Sequence, residues 1–159
     1  MTATAVSVGV AQAVAAALAA ADLSQDFTPE RSYANWELEL ENADCLRVDV
    51  VAVIDKQTCV LFTRGKKRYT IPVDIAVRKR FAPNEQDDET GRIDIAELDA
   101  LCLLTEEIHG LFMKESLDGF DSAVWDRTEI SVSPVTDHLK KFRQFTSIVR
   151  IPFVVDKAV

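Results

Sequence analysis

The first apolar pattern along the chain predicts a helix over residues 5–22. Val6, Val10, Val14 and Leu18 recur at intervals of four residues, a spacing that places them along one side of an α-helix. Most other positions are alanine, and no charged residue interrupts the stripe. Because a helix with a solvated side usually carries charges there, we expect the alanine surface to pack on the sheet of the same domain or on a neighbouring subunit.

From residue 27 onward the apolar period changes to two, which is typical of β-strands. The pattern predicts strands over residues 28–40, 46–54, 58–63 and 68–81. The last two form a long hairpin around the turn Arg64-Gly65-Lys66-Lys67. Pro72 in the return strand has no backbone N–H for a sheet ladder, so we expect a sheet edge or a bulge there. An edge that is not blunted pairs readily with another chain.

The second half of the chain returns to a helical period. Asp94 and Glu97 form a capping pair for a helix that ends at about Lys114. Its predicted buried stripe consists of Leu98, Leu101, Leu104, Ile108, Leu111 and Phe112. The remaining predicted elements are a strand over residues 123–133, a short helix that begins at Ser133-Pro134, and a strand over residues 145–155. His138, in the short helix, has charged neighbours, and we expect it at the solvated surface.

Strands grouped between helices predict an α+β fold, with a mainly antiparallel sheet and two principal helices packed on it. A chain of 159 residues fits one domain, 1–159, because a domain of this size buries most of the surface that its unfolded form exposes. The sequence contains no internal repeat and no linker that would divide it.

Charge and composition limit the partners. A net charge of -8 argues against sequence-independent nucleic-acid binding, which depends on Lys and Arg. We also expect no sequence-specific nucleic acid as a partner. The alanine-rich start is shorter than a membrane span and lacks the basic residues of a signal peptide. Three widely spaced cysteines without a Cys-x-x-Cys pair suggest neither a disulfide framework nor a zinc site. A reducing cytoplasm is the simplest setting.

The residues also offer little for catalysis. The five glycines form neither a dinucleotide fingerprint nor a P-loop, so no cofactor is expected. Cys102 and His109 are the nearest nucleophile and base, but seven helical residues separate them by about 10 Å, too far for a direct hydrogen bond. We expect a core cysteine, a helix-boundary histidine and no enzyme; a small hydrolase at this pair is an alternative.

Residues 86–97 resemble the spacing of an EF-hand calcium loop. Asp88, Gly91, Asp94 and Glu97 fall at the third, sixth, ninth and twelfth positions. Gln86 stands at the first position, where an EF-hand has Asp. We expect a solvated strand-to-helix loop without a metal ion, and keep a calcium-responsive binding module as the alternative.

Positive and negative charges are concentrated in two different segments. The basic hairpin contains Arg64, Lys66, Lys67 and Arg68, and the acidic loop contains Glu85, Asp87, Asp88 and Glu89. A solvated hairpin tip is the simplest explanation of the first segment. The alternative is a subunit interface in which the hairpin of one copy contacts the acidic loop of the next, a head-to-tail contact that closes into a ring when the rotation permits.

The order of elements resembles the tail terminator (tail completion) proteins of tailed bacteriophages. The resemblance covers most of the chain and includes four stretches: residues 26–33 (DFTPERSY), 46–51 (LRVDVV), 69–77 (YTIPVDIAV) and 138–148 (HLKKFRQFTSI). These are structural patterns and not catalytic signatures.

The resemblance implies a structural virion protein with a tail-terminator-like α+β domain and no cofactor. It implies a ring, hexameric in the family, that ends the tail tube at its head-proximal side and joins it to the head connector. The expected partners are further copies of the chain, the tail tube protein and the head connector or neck proteins, with assembly in the host cytoplasm and no membrane. Another neck or head-tail connector protein is the nearest alternative.

Overall fold

The computed structural model describes residues 3–33, 40–41, 45–81, 86–87, 92–93, 95–114, 124–125 and 130–158. The helices in these residues are α1 (Val6–Ala20), α2 (Ile95–Lys114) and α3 (Thr136–Phe142). The strands are β1 (Glu30–Arg31), β2 (Arg47–Ala52), β3 (Thr58–Thr63), β4 (Lys66–Arg80), β5 (Gln86–Asp87), β6 (Arg92–Ile93), β7 (Val124–Trp125), β8 (Ser131–Pro134) and β9 (Gln144–Ala158). A 3₁₀ turn, Ile54–Lys56, connects β2 to β3.

The long antiparallel pair of β4 and β9 forms the middle of the main sheet. Each strand has 15 residues, and their pairing extends from Lys66 opposite Ala158 to Arg80 opposite Gln144. On the other side of β4, β3 pairs with its first half and β2 with its second half. β7 and β8 similarly share the other side of β9, and β1 adds to β2 in parallel. The predicted α+β fold with a mainly antiparallel sheet is therefore confirmed.

The hydrophobic core lies between one face of this sheet and the helices α1 and α2. Alternate residues of β4 and β9 point toward the helices, and we call this the helix-side face. Val10, Val14 and Leu18 of α1 are buried there, as their spacing predicts. Phe112 of α2 meets Phe153 of β9 edge to face, with ring centroids 6.5 Å apart. The other buried members of this face on β4 and β9 are Ile71, Val73, Ile75, Val77, Phe145, Ser147, Val149, Ile151 and Val155.

The opposite face of the sheet carries arginine–aspartate pairs between neighbouring strands. Arg150 lies directly across from Asp74 and donates two hydrogen bonds to its carboxylate, at 2.6 and 2.8 Å. Arg47 and Arg78 also lie across from each other, and like charges in that position repel. Asp49 resolves the conflict because both arginines pair with its carboxylate. The carboxylates of Asp49 and Asp74 are buried, so this pairing is required for their burial.

The prediction that Pro72 marks an edge or a bulge is wrong, because β4 is a central strand. Pro72 lies where its neighbour changes from β2 to β3, and its carbonyl accepts a hydrogen bond from the Val53 N–H, at 2.9 Å. Pro152 lies directly across from Pro72, between the segments of β9 that pair with β8 and β7. Each proline therefore occupies a gap between two outer strands, where a ladder donor is not needed.

Three further predictions change. In place of a strand over residues 28–40, the described residues show the short β1, while residues 34–39 lie outside the description. Ser133 and Pro134 end β8 and do not begin a helix, which starts at Thr136. His138, expected at the solvated surface, is buried, and its Nδ1 lies 2.7 Å from Thr146 Oγ1.

Candidate subunit interface

The predicted hairpin forms an exposed arm of the sheet. We call β3, the turn at residues 64–65, residues 66–70 of β4 and residues 154–158 of β9 the hairpin arm. All of β3 is exposed, including Val60 at 56 %, Leu61 at 68 % and Phe62 at 50 %. The strand contains no charge and no proline, two of the usual means of blunting an edge. Its register shifts once, around Phe62.

On the opposite face of the arm, the charges neutralise each other. Arg68 lies across from Asp156 and donates hydrogen bonds of 2.8 and 3.0 Å to the two carboxylate oxygens. Its guanidinium also lies 3.6 Å from the centroid of the Phe62 ring. The hydrogen bond from Arg68 lowers the pKa of Asp156, and nearby Lys66 contributes to the same shift. Arg68, predicted at a subunit contact, is thus engaged within its own arm.

The helix-side face of the arm carries two lysines whose charges no described carboxylate neutralises. Leu61, Lys67 and Lys157 form one row across β3, β4 and β9, with the two lysines directly opposite each other. Among the described residues no carboxylate forms a salt bridge with either lysine. Directly opposed like charges destabilise a sheet. Within the part of the chain that the structure describes, this row therefore has no negative partner that would make its charges favourable.

The next row of the same face is less polar. Cys59 lies across from Tyr69, and Tyr69 lies across from Val155, which is buried in the core. A hydrogen bond with the Cys59 side chain raises the pKa of Tyr69. The exposed and half-buried members of the two rows form a surface with apolar and basic groups and no described acidic group.

The remaining predicted interface residues divide between described and undescribed parts of the chain. Arg64, Lys66 and Lys67 are exposed at the tip of the arm, as expected. Glu85, Asp88 and Glu89 lie outside the described residues. Asp87 belongs to β5, where it pairs with Arg92 through the backbone. Contact between the arm and this acidic loop of another copy therefore stays a prediction.

Sequence reasoning missed an acidic and apolar surface on α2. We call Ile95, Asp99, Cys102, Leu103 and Glu106 the α2 stripe; they share the side of the helix that faces away from the sheet, and all are exposed. Ile95 is 72 % and Leu103 49 % exposed. The signal was present in the sequence, because these two apolar residues do not fit the buried stripe of the same helix. Cys102 was expected in the core, and this prediction is wrong.

The two alternative functions, a small hydrolase at Cys102 and a calcium-responsive module at residues 86–97, gain little support from the geometry. Partial burial, with Asp99 and Glu106 nearby, raises the pKa of the Cys102 thiol, which reduces the nucleophilic thiolate that a hydrolase needs. Glu97, the twelfth residue of the calcium-like loop, pairs with Lys79 at 3.1 Å. Within the described residues no group of three or more His, Cys, Asp or Glu could hold a metal ion. Most of the calcium-like loop lies outside them, so calcium binding stays untested.

Comparison with known proteins adds no assignment. No protein-family model matches the chain, and no curated protein matches it either. None of the helices in the described ranges combines the length and apolar character needed to cross a membrane. The hairpin arm and the α2 stripe are therefore the features of the chain that bear on its function.

Proposed function

We propose that the chain is a structural subunit that assembles with copies of itself into a ring, and that this ring is the tail terminator of a tailed phage or a related particle. The observation that carries the proposal is the hairpin arm, an exposed extension of the sheet whose edge strand is apolar and whose lysines lack a described negative partner. Exposed apolar surface combined with unneutralised charge is typical of an interaction site.

Self-association is favoured because the chain carries two different complementary surfaces. A contact between different patches is heterologous, and copies joined in this way form a ring when the rotation closes. The hexameric ring, the tail tube and the head connector come from the resemblance of the chain to tail terminators. An α+β fold agrees with that resemblance but is shared by many functions.

The first experiment measures the mass of the purified protein across the micromolar concentration range. Sedimentation velocity and light scattering should show one large discrete species, and negative-stain electron microscopy should show rings. A chain that stays monomeric at every concentration and is absent from purified particles would sink the proposal.

A second experiment separates a tail terminator from another neck protein. The subunit is tagged with a small epitope, and intact particles are imaged with labelled antibody. Label at the head-proximal end of isolated tails supports the terminator. Label that stays with heads when tails are absent supports a connector on the head side.

A further inference from the structure

We infer that the helix-side face of the hairpin arm docks on the α2 stripe of a second copy of the chain. The contact is head-to-tail, because each copy uses its arm on one neighbour and offers its α2 stripe to the other. The inference depends on the self-assembly proposed above and specifies which surfaces meet.

Charge is the first argument. Lys67 and Lys157 lie directly across from each other on the arm. Asp99 and Glu106 are exposed on the α2 stripe, seven residues or about 10 Å apart along the helix axis. Two carboxylates placed near the two lysines would turn their mutual repulsion into attraction. The opposite face of the arm needs no such partner, because Arg68 and Asp156 already neutralise each other there.

Apolar surface is the second argument. Leu61 lies in the same row as the lysines, and Tyr69 lies in the next row of the same face. The α2 stripe has Ile95 and Leu103 beside its carboxylates. Both surfaces therefore combine large apolar side chains with charges of opposite sign, and both would lose exposed apolar area on contact.

The symmetric arrangements are disfavoured by the same charges. Two arms facing each other would bring four lysines together, and two α2 stripes would bring four carboxylates together. Like-charge contacts of this kind suppress the wrong pairing. The heterologous contact is the arrangement that satisfies both surfaces at once, and it is the type that generates rings.

Charge reversal of each surface tests the contact. We expect Lys67→Glu/Lys157→Glu and Asp99→Lys/Glu106→Lys each to weaken self-association at least tenfold in sedimentation velocity. An equimolar mixture of the two variants should assemble again, because every contact then joins opposite charges. The chain with all four substitutions should assemble for the same reason.

The control keeps the number of reversed charges and changes their position. Arg31→Glu/Lys56→Glu reverses two exposed residues outside the arm, one at β1 and one in the 3₁₀ turn Ile54–Lys56. This control should assemble like the unmodified chain. Urea unfolding and circular dichroism of every variant separate loss of contact from loss of fold.

The outcomes distinguish this inference from the proposed function. An unmodified chain that never associates contradicts both. An unmodified chain that assembles while the arm variant assembles equally well overturns the inference and leaves the proposed function standing. Loss in each variant without recovery in the mixture also overturns it, because the two surfaces would then matter without meeting each other.

The native cysteines provide an independent measurement. Cys59 lies on the arm face and Cys102 on the α2 stripe, and both are exposed. In a Cys45→Ser background, a short bis-maleimide should link Cys59 of one copy to Cys102 of another. Mixing nitrogen-15-labelled and unlabelled protein identifies links between copies by mass spectrometry. Predominant Cys59–Cys59 links, or links only within one copy, would contradict the head-to-tail contact.

Discussion

The two ends of the β4–β9 pair share one continuous hydrogen-bonding register but have opposite surroundings. Beyond Pro72, Ile75 of β4 and Val149 of β9 are buried under the helices. Before it, the equivalent positions of the hairpin arm are Lys67 and Lys157, and they are exposed. Both ends also carry an arginine–aspartate pair on the opposite face, at Arg150–Asp74 and Arg68–Asp156.

The comparison separates what the backbone does from what the side chains do. β4 and β9 keep the same pairing register from the core to the end of the hairpin arm. The side chains on the helix-side face then decide whether a segment forms core or interface. The contrast therefore predicts that equivalent substitutions at the two ends have different effects on folding and on assembly.

The largest expected difference is between Phe153→Ala and Phe62→Ala. Phe153 is fully buried against Phe112, so its truncation should lower the free energy of unfolding by about 3–5 kcal/mol. Phe62 is half exposed, and its truncation should cost about 1 kcal/mol or less. Urea unfolding of both variants at neutral pH measures the difference. Equal losses would mean that the arm is as tightly integrated as the core.

The arginine–aspartate pairs give the next contrast. Asp49→Asn removes the negative charge that pairs with the buried Arg78, and we expect a loss of about 3 kcal/mol. Asp156→Asn removes the partner of the more exposed Arg68, where solvent replaces much of the interaction. We therefore expect a much smaller loss of stability in the same unfolding measurement. A loss at Asp156 that matches the loss at Asp49 would contradict the contrast.

Lys157→Glu should produce a smaller change in the free energy of unfolding, and this change should be a gain. The substitution replaces a like-charge pair with an opposite-charge pair across from Lys67, which should stabilise the monomer by about 0.2–1 kcal/mol. The same substitution should weaken self-association. A gain in melting temperature together with a loss of assembly would show that this row is suited to contact and not to stability.

The smallest expected effect is the pH dependence of the Asp156 pair. Because Arg68 lowers the pKa of Asp156 in the folded chain, the pair stabilises the fold above the unfolded pKa of about 3.9 and loses this contribution as pH falls through the lower folded pKa. The stability difference between the unmodified chain and Asp156→Asn should be constant from neutral pH to about pH 5 and disappear in strong acid. A difference that grows on acidification would contradict the assignment.

Local periodicity accounts for what the sequence could predict. The helix of residues 94–114 is observed as Ile95–Lys114, and the strand over residues 58–63 has the predicted bounds. These elements follow from side-chain spacing alone. The exposed tip of the hairpin also follows from its charges.

Long-range pairing accounts for most of what the sequence could not predict. The expectation for Pro72 assumed one continuous neighbouring strand, whereas β4 has two. His138 was assigned to the surface because of its charged neighbours, but its partner Thr146 lies beyond the end of the helix. Arg68 belongs to a basic turn, and its pairing with Asp156, 88 positions away in the chain, has no local signal in the sequence.

The three-strand construction of the hairpin arm links assembly to folding. The row of Leu61, Lys67 and Lys157 exists only after β9 has paired with a strand that precedes it by a long stretch of chain. Pairings of this kind form late, because the entropy of closing a long loop must be overcome first. A copy that has not completed its sheet would therefore lack the docking face that we propose. In the proposed ring, only chains in which β4 and β9 have paired could therefore join the assembly through the arm.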